Sequence, residues 1–154
     1  MPNTATTDST TTDSTTTAAA PPELAALHHV GITVTDQVRS VAWYGEMLGM
    51  VQWGEERYPG GSAALMMRPG THVHLGLDAH EANEGERFGP HRTGLDHLAF
   101  MVVSREELDA WQTHLSTRGV ECGAVQDVVI EGLSVSLLQF RDPDGVALEM
   151  IYMG

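Results

Sequence analysis

The 154-residue chain carries 21 acidic side chains against 8 basic ones, a formal charge of −13, and such a balance repels nucleic-acid backbones and anionic membrane surfaces. All the basic residues are arginines, so Schiff-base chemistry and a phosphate-loop lysine are excluded. With Cys122 as the single cysteine, neither an intrachain disulfide nor a cysteine-based zinc cluster can form, and Cys122 itself reads as a small, partly buried residue.

Residues 1–22 are mostly Thr, Ser, Asp, Ala and Pro, with TTDST at Thr6 repeated at Thr11. Such a segment has almost no apolar surface to bury and is expected to be disordered. No arginine precedes Arg39 and no apolar run reaches signal-peptide length, so neither a secretory signal nor a membrane span is expected and a cytoplasmic location is the default. Residues 23–154, about 130 in all, suffice for one domain with one core.

The segment LHHVGITV from Leu27 superimposes on LDHLAFMV from Leu95 at an offset of 68, pairing His29 with His97 and Val34 with Val102. This marks an internal duplication. A helix should follow each strand, the first led by Asp36 into Val38, Val41, Ala42 and Leu48, the second led by Ser104 into Leu108, Trp111 and Leu115. Ser104 and Glu107 form a capping-box pattern, and Gly49 and Gly119 stand where helix C-termini need a left-handed residue. Downstream, LMMRPGTHVHLGL from Leu65 aligns with LQFRDPDGVALEMI from Leu138 if the second turn holds two extra residues. Arg68 then pairs with Arg141, Gly70 with Gly145 and His74 with Glu149. Turns at Gly60-Gly61 and Glu131-Gly132 complete a strand, a helix and three strands per copy. The expected fold is α+β: two βαβββ modules at about 25–77 and 94–153, joined by a polar connection over 78–93.

Alternation along a strand sets His29, Gly31 and Thr33 opposite Val30, Ile32 and Val34, and His97, Ala99 and Met101 opposite Leu98, Phe100 and Val102. The aliphatic faces should pack on the helices, leaving His29, His97 and, in the last strand, Glu149 on the concave side. Two imidazoles and one carboxylate suit a divalent first-row metal, and with open positions this set is the facial triad of non-haem iron chemistry. Glu149 would otherwise be an acid inside an apolar strand, which is costly unless paired or bound to metal. His72, His74 and His80 share one strand parity, and His72 and His80 are candidates for a proton shuttle or a substrate contact. His28, on the face opposite His29, and His91 and His114, in a loop and on a helix, read as solvated surface residues. Tyr44 and Tyr152 are able to hydrogen-bond a substrate oxygen, although helix-seam packing alone accounts for Tyr44. Arg68 and Arg141 read as turn residues.

The motifs HHVGITVTD, WYGEMLGM, GLDHLAF and FRDPDGVALEM, spread over roughly residues 25 to 153, resemble those of the vicinal oxygen chelate superfamily. That superfamily includes glyoxalase I, extradiol dioxygenases, fosfomycin-resistance transferases, methylmalonyl-CoA epimerase and bleomycin-binding proteins. The resemblance implies a cup-shaped, glyoxalase-like mixed sheet with flanking helices, a small oxygen-bearing substrate and a homodimer. Its metal ligands come from the first and last strands of the modules, which here places His29, His97 and Glu149, with His74 at the fourth position. The ion expected is divalent, Fe(II) ahead of Mn(II), Zn(II), Ni(II) and Co(II). Three functions follow from the resemblance: iron dioxygenase chemistry, favoured by a two-histidine, one-glutamate set; glyoxalase- or epimerase-type lyase or isomerase chemistry, favoured if His74 ligates; and metal-free sequestration of an antibiotic or other small molecule without turnover. A thiol-transferring resistance enzyme fits less well, because it needs a cationic pocket that few arginines can supply.

Overall fold

Residues 20–154 are described by a computed structural model, so the expectation of disorder for residues 1–22 falls, up to residue 19, outside the described residues. The first module runs β1 (Val30–Thr33), α1 (Gln37–Leu48), β2 (Val51–Tyr58), β3 (Gly61–Met67) and β4 (His74–His80). The second runs β5 (Leu98–Met101), α2 (Arg105–Thr117), β6 (Gln126–Ile130), β7 (Leu133–Arg141) and β8 (Ala147–Met153). The expected pair of βαβββ modules is thus present, although β4 continues to His80, past residue 77. Each module forms its own open four-stranded sheet, ordered β1-β4-β3-β2 and β5-β8-β7-β6. In each, the first strand lies parallel to the last while the other pairings are antiparallel.

Helix boundaries follow local chemistry. Asp36 is extended, and its carboxylate accepts the Arg39 N–H at 3.0 Å, satisfying a donor that the first helical turn leaves free. Ser104 does the same for Glu107 at 3.3 Å. Gly49 ends α1 at φ 64°, a left-handed conformation that costs glycine little and other residues more. The buried faces obey the strand alternation: Ile32, Val34, Ala64, Met66, Leu75 and Leu77 in one sheet join Leu138, Phe140, Leu148 and Met150 in the other. Tyr44, Met47 and Leu48 of α1 and Leu108 and Leu115 of α2 close over them as one continuous core.

Polar ties then lock the modules together. The buried Tyr44 hydroxyl donates to Asp142 Oδ2 at 3.1 Å. Asp144, also buried, accepts the Thr35 backbone N–H at 2.9 Å and the Arg39 guanidinium at 2.7 Å. Two residues depart here from their sequence reading. His114 is half-buried and its Nε2 lies 3.0 Å from the Met47 carbonyl, so it joins α2 to α1 instead of facing solvent. Arg68 leaves its turn, donates to the Leu48 carbonyl at 2.7 Å and stacks 5.2 Å from the centre of the Trp111 ring, across the module boundary. Arg141 does serve its own turn, donating to the Gly145 carbonyl at 2.7 Å.

Strand register also revises the alignment of the copies. Gly76 faces Gly31 across the parallel pair of the first module, and Glu149 faces Ala99 in the second. Since Gly31 and Ala99 are equivalent, the counterpart of Glu149 is Gly76, and that of His74 is Ala147. The cause is turn length: six residues (68–73) link β3 to β4 and five (142–146) link β7 to β8, where the sequence alignment placed extra residues in the second turn. A shift of two keeps His74 on the same face of the strand.

Candidate metal centre

In the second module Glu149 is 7% exposed. Gln139, opposite it on β7, donates from Nε2 to Glu149 Oε2 at 3.1 Å, and no salt bridge among the described residues neutralises the carboxylate. A buried anion with one amide partner is a costly arrangement that a cation would relieve. His97 stands immediately before β5, exposed, with its Nδ1 2.7 Å from Asp96 Oδ1. Donation of the Nδ1 proton to that carboxylate leaves Nε2 with a bare lone pair, the tautomer a metal needs. Both His97 and Glu149 line an open cavity of about 1080 Å³ beneath Trp43, Arg118 and Gln139.

The first module presents imidazoles instead. His29 precedes β1, its Nδ1 2.9 Å from Nδ1 of His28, and the His28 ring stacks on His74 with centroids 5.5 Å apart. His74 opens β4, and its Nδ1 is buried without a hydrogen-bond partner, a cost that metal ligation would remove. His28 therefore does not lie on the opposite face. Neither histidine is inside the strand, which starts at Val30, so alternation does not govern them. His28 and Asp96 occupy equivalent places, each immediately before a candidate ligand and each engaging that ligand's Nδ1. Sequence reasoning missed both, although their shared offset of 68 was the available signal.

The other candidates are placed separately. His72 is exposed in the bend before β4, so strand parity does not apply to it. His80 is the exposed last residue of β4, its ring 5.8 Å from that of Tyr58. Tyr44 belongs to the core, and Tyr152 is half-buried against it. Within one chain, the described residues contain no group of three or more His, Cys, Asp and Glu side chains able to hold one ion. What the fold presents is two pairs: His29 with His74 at the β1 edge, and His97 with Glu149 at the β5 edge.

Residues 26–150 match the family model for the Glyoxalase/Bleomycin resistance protein/Dioxygenase superfamily. The chain belongs to this superfamily. It is 32% identical to a glyoxylase/bleomycin resistance protein/dioxygenase domain from Frankia sp. EAN1pec, with a TM-score of 0.76 over 84% of this chain and 98% of that one. It is 29% identical over 130 residues to the uncharacterized protein YaeR of Escherichia coli (strain K12), covering 82% of this chain and 95% of YaeR. The fold extends to a fosfomycin resistance protein, FosX, of Listeria monocytogenes, solved with Mn(II) and a dihydroxypropylphosphonic acid. There the identity is 18% and the TM-score 0.61, over 83% and 90% of the two chains. Glyoxalase superfamily members include metal-dependent enzymes, and the donors here suit such a role: three imidazoles and one carboxylate are appropriate for a divalent first-row ion.

Proposed function

We propose that this superfamily member is a divalent-metal enzyme of the lyase or isomerase kind, acting on a small substrate whose oxygens chelate the ion. The observation that carries this reading is the buried, unpartnered Nδ1 of His74, whose ring stacks on His28, the residue that also contacts the His29 ring. With His74 included, His29, His97 and Glu149 become a four-donor set. Four protein donors would leave a six-coordinate ion two positions for a chelating substrate and none for dioxygen. A three-donor facial triad leaves room for both, so His74 turns the balance away from the dioxygenase reading that His29, His97 and Glu149 alone favour. When bound, the ion supplies Lewis acidity, polarising a carbonyl and stabilising the negative charge that develops as a neighbouring proton leaves.

The protein's own part is orientation of the donors. Asp96 holds the His97 ring and His28 holds the His29 ring, each through Nδ1, and Gln139 fixes one oxygen of Glu149. The two pairs come together in a homodimer that sets β1 of one copy alongside β5 of the other. Both strands are open sheet edges, and a two-fold axis makes the same junction twice, giving two equivalent sites.

Deuterium exchange separates the reactions. In D2O, protein loaded with Mn(II), Ni(II) or Zn(II) is expected to exchange the carbon-bound protons of dihydroxyacetone faster than the free ion does. Fe(II)-loaded protein is expected to consume no dioxygen with catechol. Protein- and metal-dependent oxygen uptake with no proton exchange would reinstate the dioxygenase reading.

A further inference from the structure

The first sheet contains a carboxylate whose surroundings are shaped for it. Asp78 lies on β4, facing Thr33 of β1 and Ala63 of β3. The Tyr58 hydroxyl, on β2, donates to its Oδ1 at 3.1 Å. The phenol's pKa is raised, by partial desolvation first and then by its bond to Asp78, so Tyr58 stays a donor. The other oxygen, Oδ2, reaches back over two glycines: a Cβ at Gly31 or at Gly76 would each stand 3.2 Å from it. Neither glycine has a positive φ, so the backbone does not demand glycine at either place. Glycine within a strand weakens it, and the space taken by the carboxylate accounts for both.

Comparison of the two modules shows what this space is. Gly76 is the counterpart of Glu149, and the positions equivalent to Asp78 and Tyr58 are Ile151 and Val128. The first module therefore lacks a carboxylate at the equivalent site and supplies one from the next residue on the same face. His74 is the neighbouring same-face position of β4 on the other side of Gly76, one two-residue step along the strand, and His29 immediately precedes β1, two residues before Gly31. Asp78 does not form a direct ligand set with them.

We infer that Asp78 is a positioning residue of the metal centre, an anion whose Oδ2 accepts a hydrogen bond from the oxygen ligand, water or substrate hydroxyl, that completes coordination beside His29 and His74. It rests on the metal reading above and adds to it. It also sets a ligand preference: the oxygen on this side must bring a proton, since a second anion would meet Oδ2 without a donor between them. The Tyr58 bond and the glycine floor hold the carboxylate in that place.

The test is Mn(II) titration of purified full-length protein, read by electron paramagnetic resonance, with melting temperature recorded for each variant. Asp78→Asn is expected to weaken Mn(II) binding on the order of 10-fold, as loss of an outer partner does. Asp78→Glu keeps the charge but cannot keep Oδ2 in the same place, and is expected to weaken binding comparably. Glu81→Gln, an exposed charge just beyond β4, controls for long-range attraction and should leave affinity unchanged. Wild-type affinity in Asp78→Asn, or in Asp78→Glu alone, would overturn the positioning role while leaving the four-donor site standing. Absence of Mn(II) binding by the wild-type chain would overturn both.

Discussion

Glu149→Gln is expected to weaken divalent-cation binding by more than about 100-fold, beyond what loss of an outer hydrogen-bond partner usually does, while the metal-free fold melts no lower. The glutamine keeps an oxygen that can accept from Gln139 Nε2, and it removes a charge buried at 7% exposure. In the absence of metal that charge is a cost. What is lost is an anion that neutralises the ion, since an amide oxygen offers only a dipole. His114→Ala is the matched control. It breaks the contact of Nε2 with the Met47 carbonyl and an edge contact with Trp111, so it should lower the melting temperature and spare the metal. Calorimetric titration alongside thermal melting checks both, and an unchanged affinity in Glu149→Gln would remove that residue from the site.

Tyr44→Ala should be the most destabilising single change at the junction of the modules, by about 3–5 kcal/mol, as for other fully buried aromatic truncations. Tyr44 is 0% exposed and packs in the shared core. Tyr44→Phe isolates the hydroxyl and should cost about 1–3 kcal/mol, because it leaves a buried acceptor without its donor. Burial pushes the Asp142 carboxyl above the usual range, and the bonds from the Val146 N–H, Tyr44 and the Asp144 N–H oppose that push. With a folded pKa above the unfolded one, the fold favours the protonated acid. The stabilising contribution is complete below the unfolded value and is lost as pH rises through the folded one. Removing the Tyr44 donor raises the folded pKa further, so the deficit of Tyr44→Phe in urea unfolding should grow with pH across that window. A deficit that shrinks with rising pH would contradict the account of the Tyr44–Asp142 contact.

The parts of the fold that were legible in the sequence are those set by local chemistry. The 68-residue offset that aligned His29 with His97 also separates the first residues of β1 and β5, Val30 and Leu98, and those of α1 and α2, Gln37 and Arg105. Caps at Asp36 and Ser104 appear as read, because a cap needs only a side-chain acceptor three residues before a free N–H. What was not legible depends on register and on distant pairing. The position equivalent to Glu149 depends on strand register and turn length together, so His74 was matched to it in place of Gly76. Asp78 escaped notice because its role arises from two glycines on neighbouring strands and a tyrosine two strands away. Arg68 and His114 were read from their own elements, yet their partners, Trp111 and Met47, belong to the other module. Nor does strand alternation say that two ligand pairs lie at the edges of separate sheets.

Subunit complementation tests the shared metal centre most directly. One variant carries His29→Ala with His74→Ala and the other His97→Ala with Glu149→Gln, so each homodimer lacks one pair at both of its sites. Either variant alone is expected to bind almost no Mn(II). Unfolded together and refolded, equal amounts should give half heterodimers, in each of which one junction is wholly mutant and the other wholly intact. The mixture should then recover about a quarter of the wild-type Mn(II) sites at wild-type affinity. No recovery from a mixture shown by mass spectrometry to contain heterodimers, or wild-type binding by either variant alone, would contradict a metal centre shared between two copies of the chain.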